Sequence, residues 1–225
     1  PLSLKTWDEL FVRQEREKSY GYPPLQLELS SYPDFSSYLS YHHRPSNNGA
    51  AIEVDIYRPL EEQLDVYLGL DIGSTSTKAV LIDSANNVLA GFYTQTAGAP
   101  LKAVQAIFEA VDDISQKHGC SFTFNGVGTT GSGRKFIGRI INADLIIDEI
   151  TAHARAAYEL NNEADTIIEI GGQDAKFTTM KNGMVTFSVM NNVCAAGTGS
   201  FIEEQALKLD VSLTEYAGRA MNSPS

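Results

Sequence analysis

A carboxylate followed by small hydroxyl residues suggests phosphate and metal chemistry near residue 70. Asp71 closes the apolar run VYLGLDI, and the turn that follows it consists of Gly73, Ser74, Thr75 and Ser76. Backbone amides and hydroxyls in such a turn can hold phosphate oxygens, and the carboxylate can hold the accompanying magnesium ion through water. A plain hairpin turn uses the same residue types, so this motif alone leaves both interpretations open.

The same design recurs further along the chain, in the sequence IIEIGGQD. Here the acid is Glu169, and Gly171 and Gly172 follow it. Glycines are needed where the backbone itself must approach phosphate, because a Cβ atom would obstruct the approach. Between the two segments, Asp148 and Glu149 form an acidic helix start, and the small residues after them permit close packing of another helix.

Cys194 precedes a glycine-rich turn that opens a predicted helix. The positive end of the helix dipole lowers the pKa of a thiol placed there and favours the thiolate, which is the metal-binding form. A buried structural cysteine is the commoner case, and the residue taken alone favours it.

These residues need a framework that positions them, and a regular pattern begins at Val66. Three strands, VYLGLDI, TKAVLID and VLAGFYTQT, are predicted to form a meander. Apolar residues at helical spacing predict an amphipathic helix over Leu101–His118. The remaining predicted elements are a strand at SFTFNGVG, helices at GSGRKFIGRII and IDEITAHARAAYEL, a strand at ADTIIEIGG, a hairpin turning at Asn182-Gly183, and a helix over Thr198–Leu209.

Residues 1–64 have a different composition, with six of the eight prolines, six of the ten tyrosines and two of the 18 glycines. Prolines at this spacing break long elements, because each one also constrains the residue before it. We therefore predict an irregular connector over residues 1–64, with a helix at Leu4–Lys18 and a strand at Ala51–Tyr57. A small independent domain is the alternative.

Composition and charge exclude several classes of protein as first interpretations. The net charge of −11, from 17 basic and 28 acidic residues, repels a nucleic-acid backbone. The sequence has no apolar run long enough for a membrane helix and no signal-peptide pattern at the N-terminus. Two cysteines cannot form a disulfide framework, so we expect a reducing cytoplasm. A start at Pro1 and a loop-like end at Ser225 suggest a piece of a longer protein.

Three segments in order, DIGSTSTKAV, DEITAHARAAYE and IIEIGGQDAKF, resemble the first phosphate motif, the first connecting helix and the second phosphate motif of the superfamily of acetate and sugar kinases, heat-shock chaperones and actin. That resemblance implies an α/β fold of two ribonuclease-H-like halves that clasp ATP. The first half would span residues 65–162, and residues 163–225 would be the start of a truncated second half. Because the motifs of the adenosine pocket are missing, we expect the isolated fragment to bind ATP weakly and not to turn it over.

The sequence NNVCAAGTGSF narrows the resemblance to the activators of 2-hydroxyacyl-CoA dehydratases and the related ATPase subunits of benzoyl-CoA reductases, over residues 66–221. The resemblance implies that ATP hydrolysis drives a low-potential electron from a four-iron four-sulfur cluster, shared across a homodimer, into a dehydratase or reductase partner. Cys194 would then be the first cluster ligand. No cysteine follows it, so the second ligand is missing, and Cys120 is expected to be structural.

The resemblance also implies roles for the individual site residues. Asp71 and Glu169 would orient magnesium and its waters, with Glu149 beside them, and Glu169 is one methylene longer than the Asp of many relatives. Gln173 would position the attacking water, or else be an exposed polar residue. Lys78 would meet phosphate, or else be an exposed strand lysine, and His153 is expected to be a packed helix histidine. The residues expected to hold the phosphates of ATP or ADP are Gly73, Ser74, Thr75, Ser76, Gly171, Gly172 and Asp174.

Two rival functions stay open at this point. A metabolite kinase would need a substrate pocket and a general base aimed at a hydroxyl group, neither of which the sequence locates. A non-catalytic nucleotide-binding regulatory module is the second rival. Metal-dependent ATP turnover by the full-length protein would exclude the regulatory module, and phosphorylation of a small acceptor would favour the kinase.

Overall fold

Two β-sheets of unequal size organise the part of the chain that the computed structural model describes, which is residues 34, 36–46, 48–193 and 196–222. Contacts divide the chain into the units 1–35 and 36–225, and every element below belongs to the second unit. The predicted helix at Leu4–Lys18 and the site residue Cys194 lie outside the described residues.

The larger sheet has seven strands, in the order β1-β2-β5-β4-β3-β6-β7. Strands β3, β4 and β5 form the predicted antiparallel meander, and β6 and β7 continue from β3 in parallel. This is the arrangement expected for a ribonuclease-H-like half. The strands are β1 (Leu39–His43), β2 (Ile52–Ile56), β3 (Gln63–Ile72), β4 (Ser76–Ile82), β5 (Val88–Gln95), β6 (Ser121–Thr130) and the two-residue β7 (Leu145–Ile146).

The core lies between this sheet and helix α1 (Pro100–His118). Alternate residues of β3, including Leu68 and Leu70, are buried in the same hydrophobic core as Ile107 of the helix. Proline in the first turn suits the helix start, and Gly119, in the left-handed region at φ 65°, ends it. Cys120 is buried in the same core.

The predicted strand at Ala51–Tyr57 is confirmed as β2, whereas strand β1 and the place of both strands in the sheet correct the sequence analysis. Residues 39–56 were expected to lie in an irregular connector, but β1 and β2 extend the sheet beyond β5. Buried residues alternate along β2, as in a strand that packs one face on the core. Strand β2 pairs with the edge of β5, and β1 pairs with β2. The predicted boundary at residue 65 falls inside β3. The boundary at 162–163 stays a prediction.

Asp113 on α1 fastens β1 to the core. Its Oδ2 accepts hydrogen bonds from the Tyr41 hydroxyl at 2.8 Å and from Lys117 Nζ at 2.8 Å, and lies 3.5 Å from His43 Nδ1. Burial alone would raise the pKa of Asp113, but the hydrogen bonds from Lys117 and Tyr41 outweigh burial and hold that pKa below its usual value. Stabilisation from this carboxylate is therefore present above its unfolded-state pKa and is lost as pH falls through the folded-state pKa.

Replacing Asp113 by Ala is expected to lower the free energy of unfolding by about 1–2 kcal/mol more than the neighbouring Asp112→Ala, whose side chain is exposed. Denaturant unfolding of both variants measures the difference, which should shrink at acidic pH. Amide hydrogen exchange in β1 should accelerate in Asp113→Ala. Equal unfolding free energies of the two variants at neutral pH would show that Asp113 does not fasten the strand.

The second sheet has three antiparallel strands, in the order β10-β9-β8. Asn182 and Gly183 join β9 to β10 with positive φ at both residues, 52° and 74°, as a two-residue hairpin turn requires, so the predicted hairpin is confirmed. The remaining elements are α2 (Arg134–Ile140), α3 (Glu149–Leu160), β8 (Thr166–Ile170), β9 (Ala175–Lys181), β10 (Met184–Met190), α4 (Gly199–Lys208) and α5 (Leu213–Met221). None of the described helices is both long and apolar enough to span a membrane.

Candidate functional site

A cleft of about 620 Å³ is lined by residues from both sheets and from α3. It brings together every site residue that the sequence analysis named, apart from Cys194, which is not described. The roles assigned to these residues stay predictions, but their proximity is a property of the fold. They are Asp71, Gly73, Ser74, Thr75, Ser76, Lys78, Glu149, Glu169, Gly171, Gly172, Gln173 and Asp174.

Two hairpin loops with the same backbone closure form opposite parts of the lining. In the β3–β4 loop, the Gly73 amide donates to the Ser76 carbonyl at 3.0 Å, and in the β8–β9 loop the Gly171 amide donates to the Asp174 carbonyl at 2.8 Å. A Cβ atom on Gly73 would lie 2.8 Å from the Ser76 carbonyl oxygen. The first loop therefore depends on glycine at this position, and both loops expose short turns to the cleft.

Each hairpin also pairs an acid with a lysine across its two strands. Asp71 is the register partner of Lys78, and Glu169 is the register partner of Lys176. The Nζ–carboxylate distances are 3.2 Å in the first pair and 2.9 Å in the second. The sequence contains the signal for this repeat, since DIGSTSTK and EIGGQDAK share an acid, Ile and Gly, followed by Lys at the eighth position. The sequence analysis named Lys78 and missed Lys176.

The two lysines differ in their surroundings. The Lys78 side chain is 46% exposed, whereas that of Lys176 is 7% exposed and also lies 2.8 Å from Glu149 Oε1 on α3. Burial alone would lower the pKa of Lys176, but its hydrogen bonds and charge interactions with Glu149 and Glu169 outweigh burial and raise it. For Glu169, burial alone would raise the pKa, but hydrogen bonds from Lys176 and His153 keep it below its usual value.

His153 is a cleft residue, although the sequence favoured a packed helix histidine. Its Nδ1 lies 2.6 Å from Glu169 Oε2, and its side chain is 40% exposed. Helix α3 places it one turn after Glu149, so both side chains face the cleft. Asp148 caps this helix by accepting a hydrogen bond from the Thr151 amide at 2.9 Å.

The donor chemistry of the cleft suits magnesium bound with a nucleotide. Carboxylate oxygens from Asp71, Glu149 and Glu169 are suitable acceptors for the waters that a nucleotide-bound Mg²⁺ retains, and they lie beside loops whose glycines leave room for phosphate. An iron-sulfur cluster does not fit this chain alone, because Cys120 is buried in the core and Cys194 would give a dimer two of the four thiolates that such a cluster requires.

The start of α4 docks directly on the second loop. The Gly199 amide donates to the Gly171 carbonyl at 3.0 Å, and the Ser200 amide and Thr198 hydroxyl donate to the Gly172 carbonyl at 2.8 Å and 3.0 Å. Sequence reasoning did not connect these segments. Further cleft residues that it missed lie on β5, in the loop before α2 and on α4: Tyr93, Ser132, Ser200 and Glu203.

Comparison with known proteins gives a consistent result. A family model described as the BadF/BadG/BcrA/BcrD ATPase family matches residues 68–225, which include both cleft hairpins. The activator of lactoyl-CoA dehydratase from Anaerotignum propionicum is 39% identical over 155 residues, which are 67% of this chain and 56% of that protein. The chain therefore spans about half the length of the curated relatives it matches.

Two solved structures have a similar fold. Component A of (R)-2-hydroxyglutaryl-CoA dehydratase from Acidaminococcus fermentans has a TM-score of 0.59 and 28% identity, over 71% of this chain and 60% of that chain. The activator of 2-hydroxyisocaproyl-CoA dehydratase from Clostridium difficile, with bound ADPNP, has a TM-score of 0.58 and 32% identity, over 71% of this chain and 58% of that chain. The predicted α/β fold of actin-like ATPases is thereby confirmed.

Proposed function

The chain belongs to the BadF/BadG/BcrA/BcrD ATPase family, and we propose that the full-length protein hydrolyses ATP in order to activate a 2-hydroxyacyl-CoA dehydratase or a benzoyl-CoA reductase-like enzyme. Activation would consist of low-potential electron transfer from a four-iron four-sulfur cluster that two copies of the protein share. Cys194 would be one ligand of that cluster. The names of the relatives, which are activators of such dehydratases, support this class of partner.

ATP would bind with its phosphates between the two hairpin loops. Magnesium, when bound, would neutralise charge on the phosphates during transfer. Asp71 and Glu169 would hold the waters of the ion, and Gln173 would orient the attacking water through its amide group. Glu149 would act beside them from α3. The acidic and glycine-rich lining of the cleft supports binding of a magnesium–nucleotide complex and its hydrolysis.

The observation that carries the proposal is the docking of α4 on the second loop. Carbonyl groups of Gly171 and Gly172 accept hydrogen bonds from Thr198, Gly199 and Ser200, which follow Cys194 by four to six residues. A phosphate group that shifts this loop would therefore also shift the segment beside Cys194. Direct attachment of this kind supports a coupling between ATP turnover and chemistry at the cysteine.

Cys194→Ser in the anaerobically purified full-length protein is the test. We expect this variant to lose its iron and its visible absorption and to fail to reduce the partner, while ATP hydrolysis continues. Cys120→Ser is the matched control, since Cys120 lies in the core and should leave the iron content unchanged. Equal iron content and equal reduction of the partner in wild type and Cys194→Ser would make Cys194 structural and would end the electron-transfer proposal.

A further inference from the structure

Lys176 connects three elements that surround the cleft. From β9, its Nζ lies 2.8 Å from Glu149 Oε1 on α3 and 2.9 Å from Glu169 Oε1 on β8. With only 7% of its side chain exposed, this ammonium group is enclosed by the carboxylates whose charge it balances. Lys176 therefore ties a helix that follows the seven-stranded sheet to the hairpin of the three-stranded sheet.

The groups around Lys176 could otherwise bind a metal ion. Glu169 directs its second oxygen to His153 Nδ1, at 2.6 Å. Ligand atoms of Glu149, His153 and Glu169 all lie within 4.8 Å of one another. Two carboxylates and an imidazole form a donor set that first-row divalent ions accept. The ammonium group contacts both carboxylates of this trio, in the position where such an ion would neutralise them.

We propose that Lys176 is a positioning residue whose ammonium group acts as a resident cation: it holds Glu149 against Glu169 across the cleft and keeps divalent ions out of the trio Glu149, His153 and Glu169. The expected effect on turnover rests on the proposed ATPase function. The exclusion of divalent ions does not rest on that function, because it concerns direct binding of an ion by the trio in the protein without nucleotide.

Comparison of the twin hairpins supports this assignment to Lys176. Lys78 occupies the same register position, but it pairs with Asp71 at 3.2 Å and its side chain is 46% exposed. Its environment leaves it accessible to a ligand in the cleft. The two lysines therefore differ in their surroundings although their register positions are equivalent. Lys176 is paired with two acids on different elements, whereas Lys78 is paired with Asp71 on the neighbouring strand.

Removal of the Lys176 charge should strengthen the binding of divalent ions and disturb the positions of the acids in the cleft. Two carboxylates and a histidine lose the cation that neutralised them, so they should repel one another and attract any divalent ion. The same loss frees Glu149 from Glu169, so the geometry of the acids in the cleft should deteriorate. A purely structural lysine would produce instability without any gain in metal affinity.

The experiment measures Mn²⁺ binding to the full-length protein without nucleotide, by electron paramagnetic resonance of free Mn²⁺. Lys176→Met should bind Mn²⁺ at least about tenfold more tightly than wild type, and adding Glu149→Gln to that variant should abolish the gain. Lys176→Arg retains the charge and should bind like wild type. Lys176→Gln is measured in parallel, with circular dichroism as the check on folding, in case the Met variant does not fold.

Steady-state kinetics supply the second readout. We expect kcat for ATP to fall at least about tenfold in Lys176→Met and to be partly restored in Lys176→Arg. The proposal is overturned if folded Lys176→Met or Lys176→Gln binds Mn²⁺ no more tightly than wild type, or if the gain survives Glu149→Gln. If the Mn²⁺ gain occurs but wild type hydrolyses no ATP, the proposed ATPase function fails and the resident cation stands.

Discussion

Glu149→Gln in the full-length protein is expected to reduce ATP turnover by a factor of roughly 10 to 100, which is the range for loss of a group that supports a metal site. The carboxylate of Glu149 faces the cleft and is fixed at 2.8 Å from Lys176 Nζ. An amide of the same size keeps the shape of the side chain but carries no charge, so it cannot balance the lysine or support the waters of magnesium. Steady-state hydrolysis measured at saturating ATP and magnesium gives the change in kcat.

The matched control for this prediction is Glu159→Gln. Glu159 lies on the same helix, is exposed, and pairs with Arg155 on the solvent side. It should turn over ATP at the wild-type rate with an unchanged melting temperature. If Glu149→Gln also kept the wild-type rate, Glu149 would have no role in hydrolysis, and the acids on the two hairpins would have to account for turnover.

The second large effect is expected at Gly131, in the loop between β6 and α2. Its φ is 82°, and a Cβ atom there would lie 2.4 Å from Asp71 Oδ1 and 2.6 Å from the Ile72 carbonyl oxygen. Gly131→Ala should lower the free energy of unfolding by about 3–5 kcal/mol, because left-handed strain adds to overpacking. It should also displace the Asp71 carboxylate and so weaken nucleotide binding. Denaturant unfolding and calorimetric titration with ADP measure the two effects.

Gly98→Ala separates backbone strain from overpacking. Gly98 has a similar φ of 72°, but a Cβ atom there would meet no atom within 4 Å. We expect a loss of only about 1–2 kcal/mol and unchanged nucleotide binding. If both alanine variants lost the same free energy of unfolding, backbone strain alone would explain the loss. Overpacking of the added Cβ atom against Asp71 and Ile72 would then contribute nothing.

Local patterns account for the part of the fold that the sequence predicted. The meander, α1 and the β9–β10 hairpin each follow from alternation, helical spacing or Asn-Gly within a short segment. Strand β1 had no such signal, because three of its five residues are exposed and its pairing depends on β2. The pairing of β2 with the edge of β5, and of β1 with β2, is a long-range contact. The prolines of this region predicted an irregular segment instead.

The site divides along the same line. Acids and glycines could be predicted because they follow apolar runs at the ends of β3 and β8, and both strand ends border the cleft. The pairing of Lys176 with Glu169 could have been found from the repeated motif, but its pairing with Glu149 could not, because Glu149 lies on a helix 27 residues away in sequence. The position of His153 in the cleft could have been found, since one helical turn separates it from Glu149. The attachment of α4 to the second loop uses the backbone amides of Gly199 and Ser200 as well as the Thr198 hydroxyl, and backbone groups leave no residue-specific signal.

The shared register of the two cleft hairpins restricts how this protein can evolve. In each hairpin, four residues separate the last register pair of the strands, Ile72 with Thr77 and Ile170 with Ala175. Adding or deleting one residue would turn the outgoing strand over and carry its lysine to the opposite face, away from the acid. Different residues are compatible with this register, since GSTS in one loop corresponds to GGQD in the other, and both loops begin with glycine. Substitutions after the first glycine therefore leave the register of each hairpin intact, whereas insertion or deletion of one residue would not.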